Sequence, residues 1–120
     1  MKTNISFHQF TQSSRFSRIK GLLAATHLSP KQVFTMAVQA LNLSIGGMEP
    51  GVKYKTEHLF EPSDWADMGD AIKRCLGICL SFLTDGGLVP LVYTSKPNAN
   101  NKFYSLKPGV NPGLYVFSVK

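Results

Sequence analysis

Between residues 53 and 107 the apolar pattern changes period several times, and this stretch narrows the architectures open to the chain more than any other. It reads, in order, as a short strand, a short helix, a glycine turn, a second helix and a two-stranded hairpin. Val52-Lys53-Tyr54-Lys55-Thr56 alternates as a strand does. Glu61-Pro62-Ser63-Asp64-Trp65 opens a short helix, with Ser63 or Glu61 near the cap and acids in the first turn, and Trp65 and Met68 are expected to face the core. Gly69 permits the turn, and Asp70 is placed to cap the helix that follows. In that helix, residues 70–84, Ile72, Leu76, Cys79 and Leu83 share one stripe, widened by Cys75, Leu80 and Phe82. Lys73, Arg74, Gly77 and Ser81 fall mainly on the other side, and Gly86-Gly87 stops the helix. Residues 88–93 and 102–106 have strand composition and flank a polar tip rich in asparagine, the pattern of a hairpin with a long loop. Pro90 places the start of its first strand late or at an edge.

Upstream, residues 1–12 are polar with scattered aromatics and suit an arm or a short strand. Phe16, Ile19, Leu22 and Leu23 then recur at helical spacing, with Ser13 or Ser14 as the cap and with Arg15, Arg18 and Lys20 on the outer face. Ser29-Pro30-Lys31-Gln32 is a stronger start signal: a capping serine, a proline at the first helical position and a glutamine three residues after the cap. That helix is expected to reach about Leu43, with Val33, Ala37, Ala40 and Leu41 on one stripe, and to end at Gly46-Gly47 through a left-handed glycine. At the far end Leu114-Tyr115-Val116-Phe117-Ser118-Val119 has strand composition and is expected to add a third strand to the hairpin.

With 120 residues, 43% of them hydrophobic, the chain suits one domain with one core. No apolar run approaches the ~20 residues needed to span a bilayer, and residues 1–8 lack the apolar segment of a secretory signal. The two cysteines, Cys75 and Cys79, do not suggest a disulfide framework, so a reducing cytoplasm is the expected compartment. The net charge of +6 is unevenly spread. Residues 1–48 hold five cations and no acids, residues 49–85 hold all seven acids against four cations, and residues 86–120 hold four lysines and no acids. Basic flanks of this kind commonly meet nucleic acid, although +6 also serves simply to keep a small protein soluble.

On the order of its elements, residues 29–107 resemble a winged helix-turn-helix domain, a small DNA-binding fold of prokaryotic and mobile-element regulators. The resemblance covers about two-thirds of the chain and rests on no diagnostic motif. It implies an α+β fold: a winged helix-turn-helix with an additional N-terminal helical segment and a C-terminal strand. Residues 1–28 would form an arm and basic helix, and residues 29–120 the winged-helix domain, as one compact unit. Helix 70–84 would read the DNA and segment 94–103 would be the wing. A major groove admits one helix, so Arg74 could bond guanine in two places and Lys73 could reach guanine or phosphate. Gly77 would allow close backbone approach, and Ser81 could contact phosphate. At the wing, Lys96, Asn98, Asn100, Asn101 and Lys102 would hold phosphates or enter the minor groove. Asp64, Asp67 and Asp70 work against this if they share the side of Arg74, because each carboxylate repels the backbone. The competing reading of Lys73, Arg74 and the wing is a solvated helix face and a polar hairpin tip.

Arg15 and Arg18 offer a second surface for phosphates or for an acidic partner. Cys75 and Cys79, four apart on one helix, could offer two thiolates to a metal with His58 or His27, but they fall on or beside the apolar stripe and core packing is the expected role. Phosphate-cradling, dinucleotide and Gly-x-Ser-x-Gly motifs are absent from the sequence. The sequence therefore predicts a non-enzymatic protein with no cofactor, metal or membrane contact: a small transcriptional regulator that binds double-stranded DNA, with a homodimer expected from the class because one helix reads few bases. The alternative is a protein-interaction module or inhibitor that uses the same scaffold to bind a larger nucleic-acid-processing protein.

Overall fold

Ser29 and Gln32 fix the start of the central helical layer. The Gln32 N–H donates to the Ser29 side chain at 3.2 Å, and the Ser29 N–H donates back to the Gln32 side-chain oxygen at 2.7 Å. This reciprocal cap satisfies two otherwise orphaned donors and opens a helix with proline in its first turn. In the computed structural model, which describes residues 2–94 and 102–120, the elements in chain order are β1 (Lys2–Ile5), α1 (Phe7–Thr11), α2 (Ser14–Leu23), α3 (Pro30–Ile45), a 3₁₀ turn (Thr56–Leu59), α4 (Pro62–Asp67), α5 (Asp70–Asp85), β2 (Leu91–Tyr93), β3 (Tyr104–Leu106), a second 3₁₀ turn (Pro112–Leu114) and β4 (Val116–Val119). The chain is thus α+β, and none of the described helices is long and apolar enough to cross a membrane.

α5 lies at the centre, packed by α2, α3, the first 3₁₀ turn and β2. Ile19, Leu23, Val33, Phe34, Ala37, Leu41, Leu76, Cys79, Leu80 and Leu83 fill the space between these helices. The N-terminal segment belongs to the same core. Phe10 of α1 stacks on Phe34 of α3 at 4.8 Å and meets Phe82 of α5 edge-on at 4.9 Å. Residues before 29 thus cover the aromatic end of the main helices.

The ends of α5 are set by backbone geometry. Gly69, not Asp70, stands at the N-cap, and no side chain caps there. At the other end Gly87 takes φ +67, the Gly87 N–H donates to the Thr84 carbonyl at 3.1 Å, and the Leu88 N–H donates to the Leu83 carbonyl at 3.0 Å. This pair of bonds needs a left-handed residue, which glycine supplies without strain. α3 stops differently: Gly46 keeps a right-handed φ of −62 and Gly47 is not left-handed, contrary to the sequence expectation.

Two small sheets flank the helices. β2 and β3 pair antiparallel, with Leu91 opposite Leu106 and Tyr93 opposite Tyr104. Pro90 lies just before the first strand, as its missing N–H requires. The strand expected at 52–56 contracts to one antiparallel bridge, Tyr54 to Tyr104, with reciprocal N–H to carbonyl bonds of 2.7 Å. β4 does form, but it does not extend the hairpin; it pairs in parallel with β1, from Lys2 opposite Val116 to Ile5 opposite Val119.

Candidate nucleic-acid interface

The N-terminal half of α5 reaches the surface; in its C-terminal half only the last residue, Asp85, is exposed. Arg74 is exposed, and Lys73 and Gly77 are half-buried. From Ile78 onward Ile78, Cys79, Leu80, Ser81, Leu83 and Thr84 are buried and Phe82 is half-buried. Ser81 is 1% exposed, which corrects its placement on the outer face of the helix. Its hydroxyl accepts a hydrogen bond from the Lys102 ammonium at 2.9 Å and lies 3.2 Å from the Tyr104 hydroxyl. It holds the return arm of the hairpin to α5, and no phosphate can reach it.

Arg74, Lys73 and Gly77 open onto a cleft of about 380 Å³. Arg18 of α2, Lys55 from the bridge segment and Lys102 from the hairpin also line it, with Trp65, Ile78 and Tyr104 as apolar and aromatic wall and Glu57 as the one carboxylate among the lining residues. Sequence-predicted Lys73, Arg74, Gly77, Arg18 and Lys102 are thereby brought together. Arg15 is not with them, because it forms an ion pair with Asp85 at the far end of α5. Lys96, Asn98, Asn100 and Asn101 lie outside the described residues.

Neutral groups hold the lysines of this cleft. Lys73 Nζ sits 5.5 Å from the centre of the Trp65 ring and Lys55 Nζ 5.1 Å from that of Phe103, while Lys102 is bonded to Ser81. Among the described residues the ion pair of Arg15 with Asp85 is the only one, so the cleft cations are not neutralised at contact distance. Of the carboxylates that threatened this surface, Asp70 stands four residues before Arg74 and so shares its side of α5. Glu61 and Asp64 line a different groove, with Met36, Ala40, Leu43, Leu59, Phe60 and Met68, and Asp67 and Asp70 are not among the residues lining the basic cleft.

Lys55, Trp65 and Tyr104 escaped the sequence reading of the site. The alternation around Tyr54 did imply that Lys55 points away from Tyr54, but the cleft it faces is made by the distant bridge to Tyr104.

Cys75 and Cys79 are fully buried in the core. Burial pushes both thiols up, Cys79 to about 12, and the nearby Arg18 guanidinium pulls Cys75 part of the way back. Such thiols pack as small hydrophobes. No protein-family model matches the chain, and comparison with curated proteins and with solved structures finds no match either.

Proposed function

We propose that the protein binds double-stranded DNA through this basic face, as a small transcriptional regulator of prokaryotic or mobile-element type built on a winged-helix arrangement. The arrangement is supported by the order α3, bridge segment, α4, α5, β2, β3, with Tyr54 bonded to β3 and β3 bonded to β2. The observation that carries the functional reading is the gathering of Arg18, Lys55, Lys73, Arg74 and Lys102 on one face, none of them in an ion pair among the described residues. Cations drawn from four separate parts of the chain form a phosphate-binding surface whose affinity comes from counterion release. Only the first two turns of α5 can approach a groove, so Arg74 and Lys73 carry any direct reading of bases.

The test is a salt titration of binding to a labelled duplex. Affinity should fall steeply with salt, and Arg74→Ala should reduce the log–log slope by about 1 if Arg74 contacts a phosphate. Arg15→Ala, at a side chain already paired with Asp85, should leave the slope unchanged. Absence of duplex binding at low salt removes this reading.

A second reading, a module that docks on a larger protein, draws on Leu43. It is 89% exposed at the rim of the groove formed by Met36, Ala40, Leu59, Phe60 and Met68. Duplex affinity unaffected by Leu43→Asp would keep the two surfaces separate.

A further inference from the structure

A duplex can only lie across the mouth of the basic cleft, whereas a small anion can enter it. The cleft volume of about 380 Å³ lies at the lower end of small-molecule sites. We propose that it binds a free nucleotide-sized ligand carrying a chain of adjacent phosphates, such as a nucleoside triphosphate, at one site per chain. This does not depend on duplex binding, although it uses the same cations.

Charge balance is the first argument. Five cations face one carboxylate, Glu57, so a single phosphate would leave most of the positive charge uncompensated, whereas a triphosphate nearly balances it. Preorganisation is the second. Trp65 holds the Lys73 ammonium, Phe103 holds that of Lys55, and the Ser81 hydroxyl holds that of Lys102. A carboxylate in any of these places would cancel the charge; an aromatic face or a hydroxyl positions the ammonium and leaves it free to attract an anion. Like charges gathered this way repel one another until a polyanion arrives, so occupation should also stabilise the fold. The third argument is the wall. Trp65, Ile78 and Tyr104 give the organic part of a nucleotide an apolar surface beside the phosphates.

The experiment is calorimetric titration of the full chain with ATP, inorganic tripolyphosphate and orthophosphate, read in parallel by fluorescence of Trp65, the only tryptophan in the sequence. ATP and tripolyphosphate should bind one to one and change the Trp65 emission, with orthophosphate at least about tenfold weaker. Lys55→Gln and Lys73→Gln should each weaken tripolyphosphate about tenfold, the loss of one charge-assisted contact. Lys31→Gln, on the exposed first turn of α3, should bind as wild type, and circular dichroism confirms that each variant is folded. No binding at millimolar ligand, several ligands per chain, or an equal loss in Lys31→Gln overturns the proposal. Duplex binding without polyphosphate binding overturns this site and leaves the DNA reading standing; polyphosphate binding without duplex binding supports the site and removes the DNA reading.

Discussion

The side-chain amide of Asn42 satisfies both backbone polar groups of Phe117. The Phe117 N–H donates to Asn42 Oδ1 at 2.7 Å, and Asn42 Nδ2 donates to the Phe117 carbonyl at 2.7 Å. One edge of β4 is paired with β1, and Asn42 of α3 stands in for a neighbouring strand at the other. An edge occupied in this way cannot recruit another chain at that point. Asn42→Ala leaves both groups unsatisfied beside a buried Phe117, so stability should fall by about 2 kcal/mol, read from the urea midpoint. Asn42→Asp keeps the acceptor and loses the donor, and should fall between the two. A midpoint unchanged in the alanine variant would contradict this role.

Ser81 and Tyr104 form a second coupled pair. Ser81→Ala removes the oxygen shared by Lys102 and Tyr104 and should cost about 1–2 kcal/mol; Tyr104→Phe should cost about 1 kcal/mol. Both variants delete the same contact, so the double variant should lose less than the sum of the two. Strict additivity in a denaturation cycle would show that the contact contributes nothing.

Two glycines of the α5 region should respond in opposite directions. A methyl group at Gly77 would meet only Thr56 Oγ1, at 3.9 Å, an ordinary contact, so Gly77→Ala should stabilise the helix by about 0.5–1 kcal/mol. Gly87 has φ +67, and Gly87→Ala should destabilise by about 1 kcal/mol. Thermal melts shifting in the same direction would refute the assignment. Because Gly77 lines the cleft, its alanine variant should bind polyanions more weakly despite its greater stability.

Alkaline pH should weaken the fold through its buried thiols and phenols. Burial holds Cys79 up at about 12, and burial with a hydrogen bond to Asp85 holds Tyr93 up at about 12; Cys75 and Tyr104 are raised in the same direction. For each group the folded state keeps a proton that the unfolded chain releases earlier. The associated stability is complete below the unfolded values, near 9 for cysteine and 10 for tyrosine, and is lost as pH climbs towards 12. Denaturation midpoints measured from pH 8 upward should fall progressively above about pH 9. Cys79→Ala, compared with its own value at neutral pH, should show a shallower decline. A flat profile to pH 11 would contradict it.

Much of the helical framework was legible because its signals are local. Ser29, Pro30 and Gln32 announced α3, and the spacing of Ile72, Leu76, Cys79 and Leu83 announced α5. Ser81 was misplaced because a single stripe cannot show how many neighbours surround a helix. α5 is covered from several sides, and the partners of Ser81 come from the hairpin. The strand around Tyr54 shrank to a bridge because the chain enters the 3₁₀ turn Thr56–Leu59 directly after Lys55, whose N–H donates to the His58 imidazole at 2.8 Å. For β4 the strand composition was readable and its partner was not. Lys2-Thr3-Asn4-Ile5 carries little β signal, and the pairing rests on a contact between distant parts of the chain. In the site, Lys73 and Arg74 could be named from their helix face, whereas the inclusion of Lys55 and exclusion of Arg15 followed from tertiary contacts.

The parallel seam of β1 and β4 has a kinetic corollary. Its strands are the first and last elements described, and the Lys120 N–H and carbonyl bond to Ile5 and Phe7 across the junction with α1. Loop-closure entropy opposes such a pairing until the intervening helices have already condensed. The seam should therefore be a late-zipping clasp, and amide hydrogens along it should exchange with solvent sooner than those buried in α5.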